Sequence, residues 1–248
     1  MGTRERKGIH MNKTINLYRC DDEIINDAYD RAVVNIYLQK EKNGYKSFLL
    51  CGSDTGVGTT SISVELAISL SVAGWKTLLI DGDLRKVNTY KRLNENINLG
   101  LSDFICARAT LQDCIYDTNW ELLHYIPSGC YRDESPVRQL CSVNMEKAMK
   151  QLHEEYDFII IDVPSLNSSV DAQILTVKAD ATILVTAMKM STMKSLEDAK
   201  NQIDKAGGNI IGVIENRVNI AEYKKYIKDY DYFKHKKYIR KSNYEGIK

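Results

Sequence analysis

Residues 48–60 read FLLCGSDTGVGTT, an apolar run that leads directly into a loop rich in glycine and threonine. A segment with helical periodicity follows over residues 59–73, so this stretch predicts a strand, a loop and a helix in succession. Glycines let backbone N–H groups approach phosphate oxygens, and a helix N-terminus adds positive potential. We therefore expect the loop to hold nucleotide phosphates through Ser53, Gly56, Val57, Gly58, Thr59, Thr60 and Ser61.

One position departs from the standard phosphate-loop pattern, which ends in Gly-Lys-Ser or Gly-Lys-Thr. Gly58 and Thr60 fit that pattern, but Thr59 stands where the lysine is expected. The loop by itself therefore leaves a second interpretation open, in which it is a Gly- and Thr-rich turn between a strand and a helix.

Short apolar runs of strand length recur along the chain, and each is continuous rather than alternating. Continuous runs are typical of strands that are covered on both faces, as in a parallel sheet. Helix-length segments with apolar residues at a 3.6-residue period lie between them, at 59–73 and 191–206. This alternation predicts an α/β protein with the P-loop NTPase fold, a mostly parallel sheet with helices on both faces. The runs are Phe48–Cys51, Thr77–Ile80, Leu122–Ile126, Phe158–Ile161, Thr182–Val185 and Ile210–Ile214.

Acidic residues follow two of these runs directly. Asp81 and Asp83 come after the second run, and Asp162 comes after the fourth. Because the C-terminal ends of parallel strands share one edge of a sheet, these three carboxylates should converge beside the phosphate loop. Hard oxygen ligands of this kind suit Mg²⁺. The alternative is that each carboxylate only caps the helix that follows it.

Composition and charge limit the class of protein. The chain has 248 residues, 44% of them hydrophobic and 27% charged, and its net charge of +1 gives no reason to expect a nucleic-acid partner. No stretch reaches the roughly 18 apolar residues of a membrane helix. Scattered cysteines without a CxxC pair indicate reduced thiols, so we expect a cytoplasmic protein. We expect an N-terminal extension over 1–22, a nucleotide-binding domain over 23–222 and a tail over 223–248.

The run LLIDGDLR, residues 78–85, resembles the second Walker box of bacterial tyrosine kinases (BY-kinases), which act in capsule and exopolysaccharide assembly. Further segments resemble the same family, and together they cover about residues 25–248. They are Asn98–Ser102, Ile126–Gly129 with Pro136 and Leu140, Tyr156–Phe158, and Asp171 and Ala172 with Asp180.

The resemblance implies that the protein uses ATP and Mg²⁺. Asp81 would accept the proton of the incoming tyrosine, since a phenol with a pKa near 10 calls for a base at the nucleophile. Arg85 would orient the second Walker box or touch phosphate. The implied catalytic residues are Asp81, Asp83 and Arg85, and the implied metal ligands are Thr60, Asp83 and Asp162.

Three features depart from the family pattern. Thr59 replaces the lysine that neutralises the β- and γ-phosphates, and loss of such a donor can cost on the order of 10²–10³ in rate. The Glu-x-x-Arg-x-x-Arg sequence used for ring assembly becomes Asp27, Asp30 and Val33, which predicts a monomer or a weak dimer. The apolar run that ends at Ile161 continues as DVPS, residues 162–165, whereas the family has Asp-Thr-Pro-Pro at this point.

The resemblance and these departures from it leave three functions open. The first is an active protein-tyrosine (auto)kinase, and the second is a non-catalytic adaptor that binds nucleotide weakly. Both would work with the cytoplasmic segment of a membrane-embedded polysaccharide chain-length protein, or with an active paralogous kinase, at the inner face of the membrane. The third is a positioning ATPase of the MinD/ParA type, which Asp54 and Thr59 disfavour because they replace both of its signature lysines.

The tail is rich in both tyrosine and basic residues. It holds nine Lys and Arg against three acidic residues, a charge of +6 (9 − 3). Such polar surroundings predict a mobile segment that a kinase site can reach, although helical spacing also allows Tyr223, Tyr226 and Tyr230 to pack on one helix face. The expected phospho-acceptors are Tyr223, Tyr226, Tyr230, Tyr232, Tyr238 and Tyr244.

Overall fold

A mixed, mostly parallel sheet of eight strands forms the centre of the computed structural model, which describes residues 14–84, 99–129, 136–219 and 221–223. The strand order is β1-β4-β5-β3-β6-β2-β7-β8, and within the described residues the pairing of β4 with β5 is the one antiparallel pair. The strands are β1 Thr14–Ile15, β2 Ser47–Gly52, β3 Thr77–Asp81, β4 Tyr116–Thr118, β5 Leu123–Ile126, β6 Phe158–Asp162, β7 Ala181–Ala187 and β8 Ile210–Asn216.

Helices cover both faces of this sheet, as the sequence predicts. One apolar core lies between the sheet and the first two helices, and a second lies between the sheet and the remaining five. The helices are α1 Glu23–Asn43, α2 Thr59–Val72, α3 Leu101–Ile105, α4 Pro136–Leu140, α5 Val143–Glu155, α6 Val170–Thr176 and α7 Met193–Ala206. None of the helices in the described ranges has both the length and the apolar character needed to cross a bilayer.

All six predicted strands and both predicted helices are present. The central strands β2, β3, β6 and β7 are buried along their whole length, which explains their continuous apolar runs. The last run is the exception, because β8 lies at the edge of the sheet and pairs only with β7 among the described strands. It is half-buried, with Val213 50% exposed, so the expectation of cover on both faces is wrong for this strand.

The N-terminal part of the described chain packs onto the domain. Ile15 and Leu17 lie in the same core as α1 and α2, and β1 pairs with β4. Residues 14–17 of the predicted extension are thus in contact with the fold. Val33, where the resemblance to BY-kinases leads one to expect arginine, is 5% exposed and belongs to this core.

Candidate nucleotide-binding site

Three strands bring their C-terminal ends together at one edge of the sheet. β6 lies between β3 and β2 and is parallel to both, so Asp81, Asp162 and Gly52 end neighbouring strands at this edge. The loop after β2 spans residues 53–58, and α2 begins at Thr59 with Gly58 as its N-cap. The strand order therefore places the phosphate loop and the acidic strand ends side by side.

The loop conformation depends on its glycines. Gly56 and Gly58 have φ values of 79° and 93°, which lie in the left-handed region that favours glycine. A Cβ atom on Gly58 would also lie 2.4 Å from the side-chain nitrogen of Asn216. That nitrogen donates a 2.7 Å hydrogen bond to the Val57 carbonyl, so the end of β8 holds the loop. The glycines and Asn216 together therefore fix the backbone conformation of the loop.

A network of hydroxyl groups holds the other side of the loop. The Asp54 carboxylate accepts hydrogen bonds from Ser53 Oγ (3.0 Å) and from Ser195 Oγ on α7 (2.8 Å). Ser53 Oγ also lies 3.0 Å from Ser191 Oγ, and Asn167 Nδ2 donates to the Ser53 carbonyl. The sole acidic side chain of the loop is therefore tied to α7 rather than directed at a phosphate.

Asp81 and Asp162 form the acidic part of the site. They are register partners across β3 and β6, and each is 4% exposed. Ser63 Oγ on α2 donates a 3.1 Å hydrogen bond to Asp162 Oδ1, and the backbone N–H of Asp83 donates to Asp81 Oδ1 at 3.1 Å. The backbone N–H of Gly82 donates to the Asp162 carbonyl, which fixes the two strand ends to each other.

A pocket opens between the sheet edge and α2. It is lined by Leu17, Thr60, Ser63, Val64, Leu79, Asp81, Tyr125 and Asp162. The pocket thus brings together the Thr60 hydroxyl and the two buried carboxylates, which the sequence predicts to lie at one site.

The oxygen-bearing side chains of the pocket fit Mg²⁺ that keeps waters and binds substrate phosphates as well as protein ligands. No group of three or more His, Cys, Asp or Glu side chains suited to a metal occurs in the described ranges. Asp83 is half-buried and does not line the pocket, so two of the three expected carboxylates meet there rather than three. Mg²⁺ typically takes one or two carboxylates together with waters and substrate phosphates, and Asp162 and Thr60 can supply the protein's share, with Asp81 beside them in the pocket.

Thr59 provides no charge at the lysine position. A Cβ atom on Gly52 would lie 2.9 Å from Thr59 Oγ1, so this hydroxyl is packed against the start of the loop. Residues 53–60 contain one acidic side chain and no basic one. Positive side-chain charge for a polyphosphate must therefore come from outside the loop.

Several predicted residues lie outside the described ranges. They are Arg85, Tyr226, Tyr230, Tyr232, Tyr238 and Tyr244. Of the tail tyrosines, Tyr223 is described, and its hydroxyl is buried close to Asp27 and Arg31 of α1. Burial and the Asp27 carboxylate raise the pKa of Tyr223, and the Arg31 guanidinium opposes that shift. Phosphorylation of this residue would require the contact with α1 to open.

Sequence reasoning missed the residues that reach the loop from α7 and from the end of β8. Asn216 and Ser195 contact the loop from 141 to 159 positions further along the chain. Arg217 does so as well, through a hydrogen bond to the Gly56 carbonyl. These residues carry no local motif, because an isolated Asn, Arg or Ser at a strand or helix end has many common structural roles.

Known proteins resemble this chain in sequence. Residues 45–216 match the family model described as an AAA domain. The tyrosine-protein kinase CpsD of Streptococcus pneumoniae serotype 4 is 35% identical over 198 residues, which cover 79% of this chain and 85% of CpsD.

Solved structures show the same fold. The crystal structure of the chimerical protein CapA2B2 superposes with a TM-score of 0.71 at 27% identity, covering 77% of this chain and 84% of that one. The septum site-determining protein MinD of Pyrococcus horikoshii, complexed with Mg-ADP, superposes with a TM-score of 0.57 at 28% identity, covering 70% and 71%.

Proposed function

This chain belongs to the family of bacterial tyrosine-protein kinases, and from that premise we propose that it binds ATP with Mg²⁺ and acts in the control of capsular or exopolysaccharide synthesis. Its reaction would be the transfer of the γ-phosphoryl group of ATP to tyrosine hydroxyls of its own tail or of a second copy. The observation that carries the proposal is the convergence of Thr60, Asp81 and Asp162 in one pocket beside a glycine-shaped loop.

Each of these side chains has a chemical task in that reaction. Asp81 accepts the phenolic proton as the new bond forms between tyrosine oxygen and phosphorus, while the bond from phosphorus to the β–γ bridging oxygen breaks and ADP leaves. Mg²⁺ supplies charge neutralisation of the phosphates when it is bound. Asp162 and Thr60 would hold it, and Ser63 keeps the Asp162 carboxylate in place through its hydrogen bond.

A second function, that of a non-catalytic adaptor, is favoured by one observation. The uncharged Thr59 stands where the family carries the lysine that stabilises the developing charge of the transferred group. Under the adaptor hypothesis, the site binds nucleotide weakly, and the protein regulates its partner by changing its own conformation rather than by phosphorylation. The MinD/ParA reading remains less favoured, because Asp54 and Thr59 replace both signature lysines of that class.

The family resemblance also suggests a partner and a place in the cell. We infer that the partner is the cytoplasmic segment of a membrane-embedded polysaccharide chain-length protein, which would hold this chain at the inner face of the cell membrane. An active paralogous kinase is a second partner if the adaptor reading is correct. The net charge of +1 offers nothing for a nucleic-acid partner.

The decisive experiment is a phosphotyrosine assay on purified protein with ATP and Mg²⁺, with and without the partner's cytoplasmic segment. Kinase function predicts phosphotyrosine that disappears in Asp81→Asn, a variant that keeps the shape of the side chain but removes its basicity. If no phosphotyrosine forms under either condition while ATP still binds, the adaptor function is supported. If ATP binds neither to the wild type nor to Thr59→Lys, the proposal that this site binds a nucleotide is refuted.

A further inference from the structure

The end of β8 brings a cation to the phosphate loop. Arg217 follows Asn216 directly, and its Nη2 donates a 2.8 Å hydrogen bond to the Gly56 carbonyl. Nη1 lies 2.8 Å from the Met190 sulfur, which steadies the guanidinium from the β7 side. The guanidinium therefore sits against the backbone of the loop itself.

The backbone of Arg217 adopts an uncommon conformation at this place. Its φ is 57°, in the left-handed region that costs free energy for any residue with a Cβ atom. The Asn216 side chain supports the turn by accepting a hydrogen bond from the Arg217 N–H at 2.8 Å. Asn216 also holds the Val57 carbonyl, so one short segment fixes both the loop and the arginine beside it.

The side chains of the loop carry no positive charge, so a cation in contact with the loop changes the charge of the site. The loop carries Asp54 and lacks the lysine that Thr59 replaces, so its own side chains sum to −1. A guanidinium has five N–H donors, and two of its nitrogens are engaged by Gly56 and Met190 within the described part of the chain. Arg217 is exposed, so its remaining N–H donors are open to solvent beside the loop.

From these contacts we propose that Arg217 supplies the positive charge for the polyphosphate of a nucleotide that the loop lacks at Thr59. The proposal rests on the nucleotide-binding function given above. Arg217 is a binding and positioning residue in this role. Arginine suits it, because its planar fork of donors matches phosphate oxygens and it stays charged at every physiological pH.

The competing explanation is that Arg217 is only a structural support for the Gly56 carbonyl. Two substitutions separate the two explanations. Arg217→Gln loses the charge and keeps only a shorter amide donor, whereas Arg217→Lys keeps the charge but loses the fork. Lys200→Gln is the matched control, since it removes one positive charge from an exposed site on α7 where the lysine pairs with Asp204.

The test measures the affinity of the full chain for ATP, ADP, AMP and inorganic pyrophosphate by calorimetry with Mg²⁺. A charge-assisted contact to phosphate predicts that Arg217→Gln weakens ATP, ADP and pyrophosphate about tenfold to a hundredfold. AMP should change far less, Arg217→Lys should retain most of the affinity, and Lys200→Gln should match the wild type. Equal affinities for the wild type and Arg217→Gln overturn the proposal.

A double-mutant cycle with Thr59→Lys completes the test. If Arg217 and a lysine at position 59 serve the same phosphates, the loss caused by Arg217→Gln should shrink in the Thr59→Lys background. An equal loss in both backgrounds indicates a structural support and overturns the proposal. Binding by Thr59→Lys with none by the wild type would also overturn it while leaving the nucleotide site intact, and no binding by either would refute the site itself.

Discussion

The Ser63 hydroxyl on α2 donates a 3.1 Å hydrogen bond to Asp162 Oδ1 at the end of β6. The same hydroxyl also donates to the Thr59 carbonyl in the first turn of the helix at 3.0 Å, so its single hydrogen is shared between the two acceptors. Ser63 is fully buried, so this contact joins the helix that follows the phosphate loop to one of the two buried carboxylates of the pocket. The carboxylate that we propose to hold Mg²⁺ is therefore connected through Ser63 to the helix that follows the loop.

We expect Ser63→Ala to weaken Mg²⁺-dependent nucleotide binding and to lower the free energy of unfolding by about 1 kcal/mol, the usual value of one hydrogen bond. Urea denaturation and calorimetry with and without Mg²⁺ measure the two effects. Ser71→Ala is the control, because Ser71 is also buried on α2 but donates to the Ile68 carbonyl of its own helix. A Ser63 variant that loses stability but keeps the Mg²⁺ dependence would contradict the connection.

Thr59→Lys should raise the affinity for ATP and the yield of phosphotyrosine. The substitution restores a cation in the loop while Thr60, Asp81 and Asp162 remain in the pocket. A gain on the order of tenfold or more in affinity is expected from one charge-assisted contact to phosphate. If neither affinity nor phosphotyrosine changes, the remaining site is not a latent kinase site.

Gly58→Ala should disrupt the loop more than an equivalent change elsewhere. The new Cβ would meet Asn216 at 2.4 Å, and the residue would keep a φ of 93°. Gly74→Ala is the matched control, because Gly74 has a φ of 98° and nothing within 4 Å of the new atom. Both variants should lose about 1–2 kcal/mol from backbone strain. Only Gly58→Ala should also lose nucleotide affinity, and equal affinities in the two variants would show that the loop tolerates a side chain.

Phosphotyrosine should map to the tail of protein taken from polysaccharide-producing cells, with Tyr238 and Tyr244 included. Tyr223 should be modified last, since its hydroxyl is buried beside α1. Each phosphate adds about −1.5 to −2 charge, so modification would reverse the +6 charge of the tail. Site-resolved mass spectrometry over a time course gives the order. Early modification of Tyr223, or phosphotyrosine confined to the domain, would refute this prediction.

The isolated chain should be a monomer or a weak dimer in light scattering. Asp30 and Val33 stand where the sequence resemblance leads one to expect ring-forming arginines, and Val33 is buried in the core. Asp27 is held in an ion pair with Arg31 on the same helix, at 2.9 Å. A stable octamer of this chain alone would show that other contacts replace the missing arginines.

The order of strands and helices could be predicted from the sequence because the signals for it are local. The run at 48–51 becomes the buried strand β2, and the helical period at 59–73 becomes α2. Asp81 and Asp162 could be placed at one edge because parallel strands present their C-terminal ends together. The absence of the lysine could also be recognised from the sequence, because Thr59 occupies a fixed position in a short motif.

The tertiary structure alone decided which distant side chains complete the site. Asn216 and Arg217 reach the loop because β7 and β8 extend the sheet on the far side of β2, a neighbour relation that no local pattern contains. The same holds for the burial of Tyr223 against α1, which lies at the other end of the chain. The physical reason is that periodicity reports which face of an element is buried, whereas the contacts of single polar side chains depend on strand order and packing.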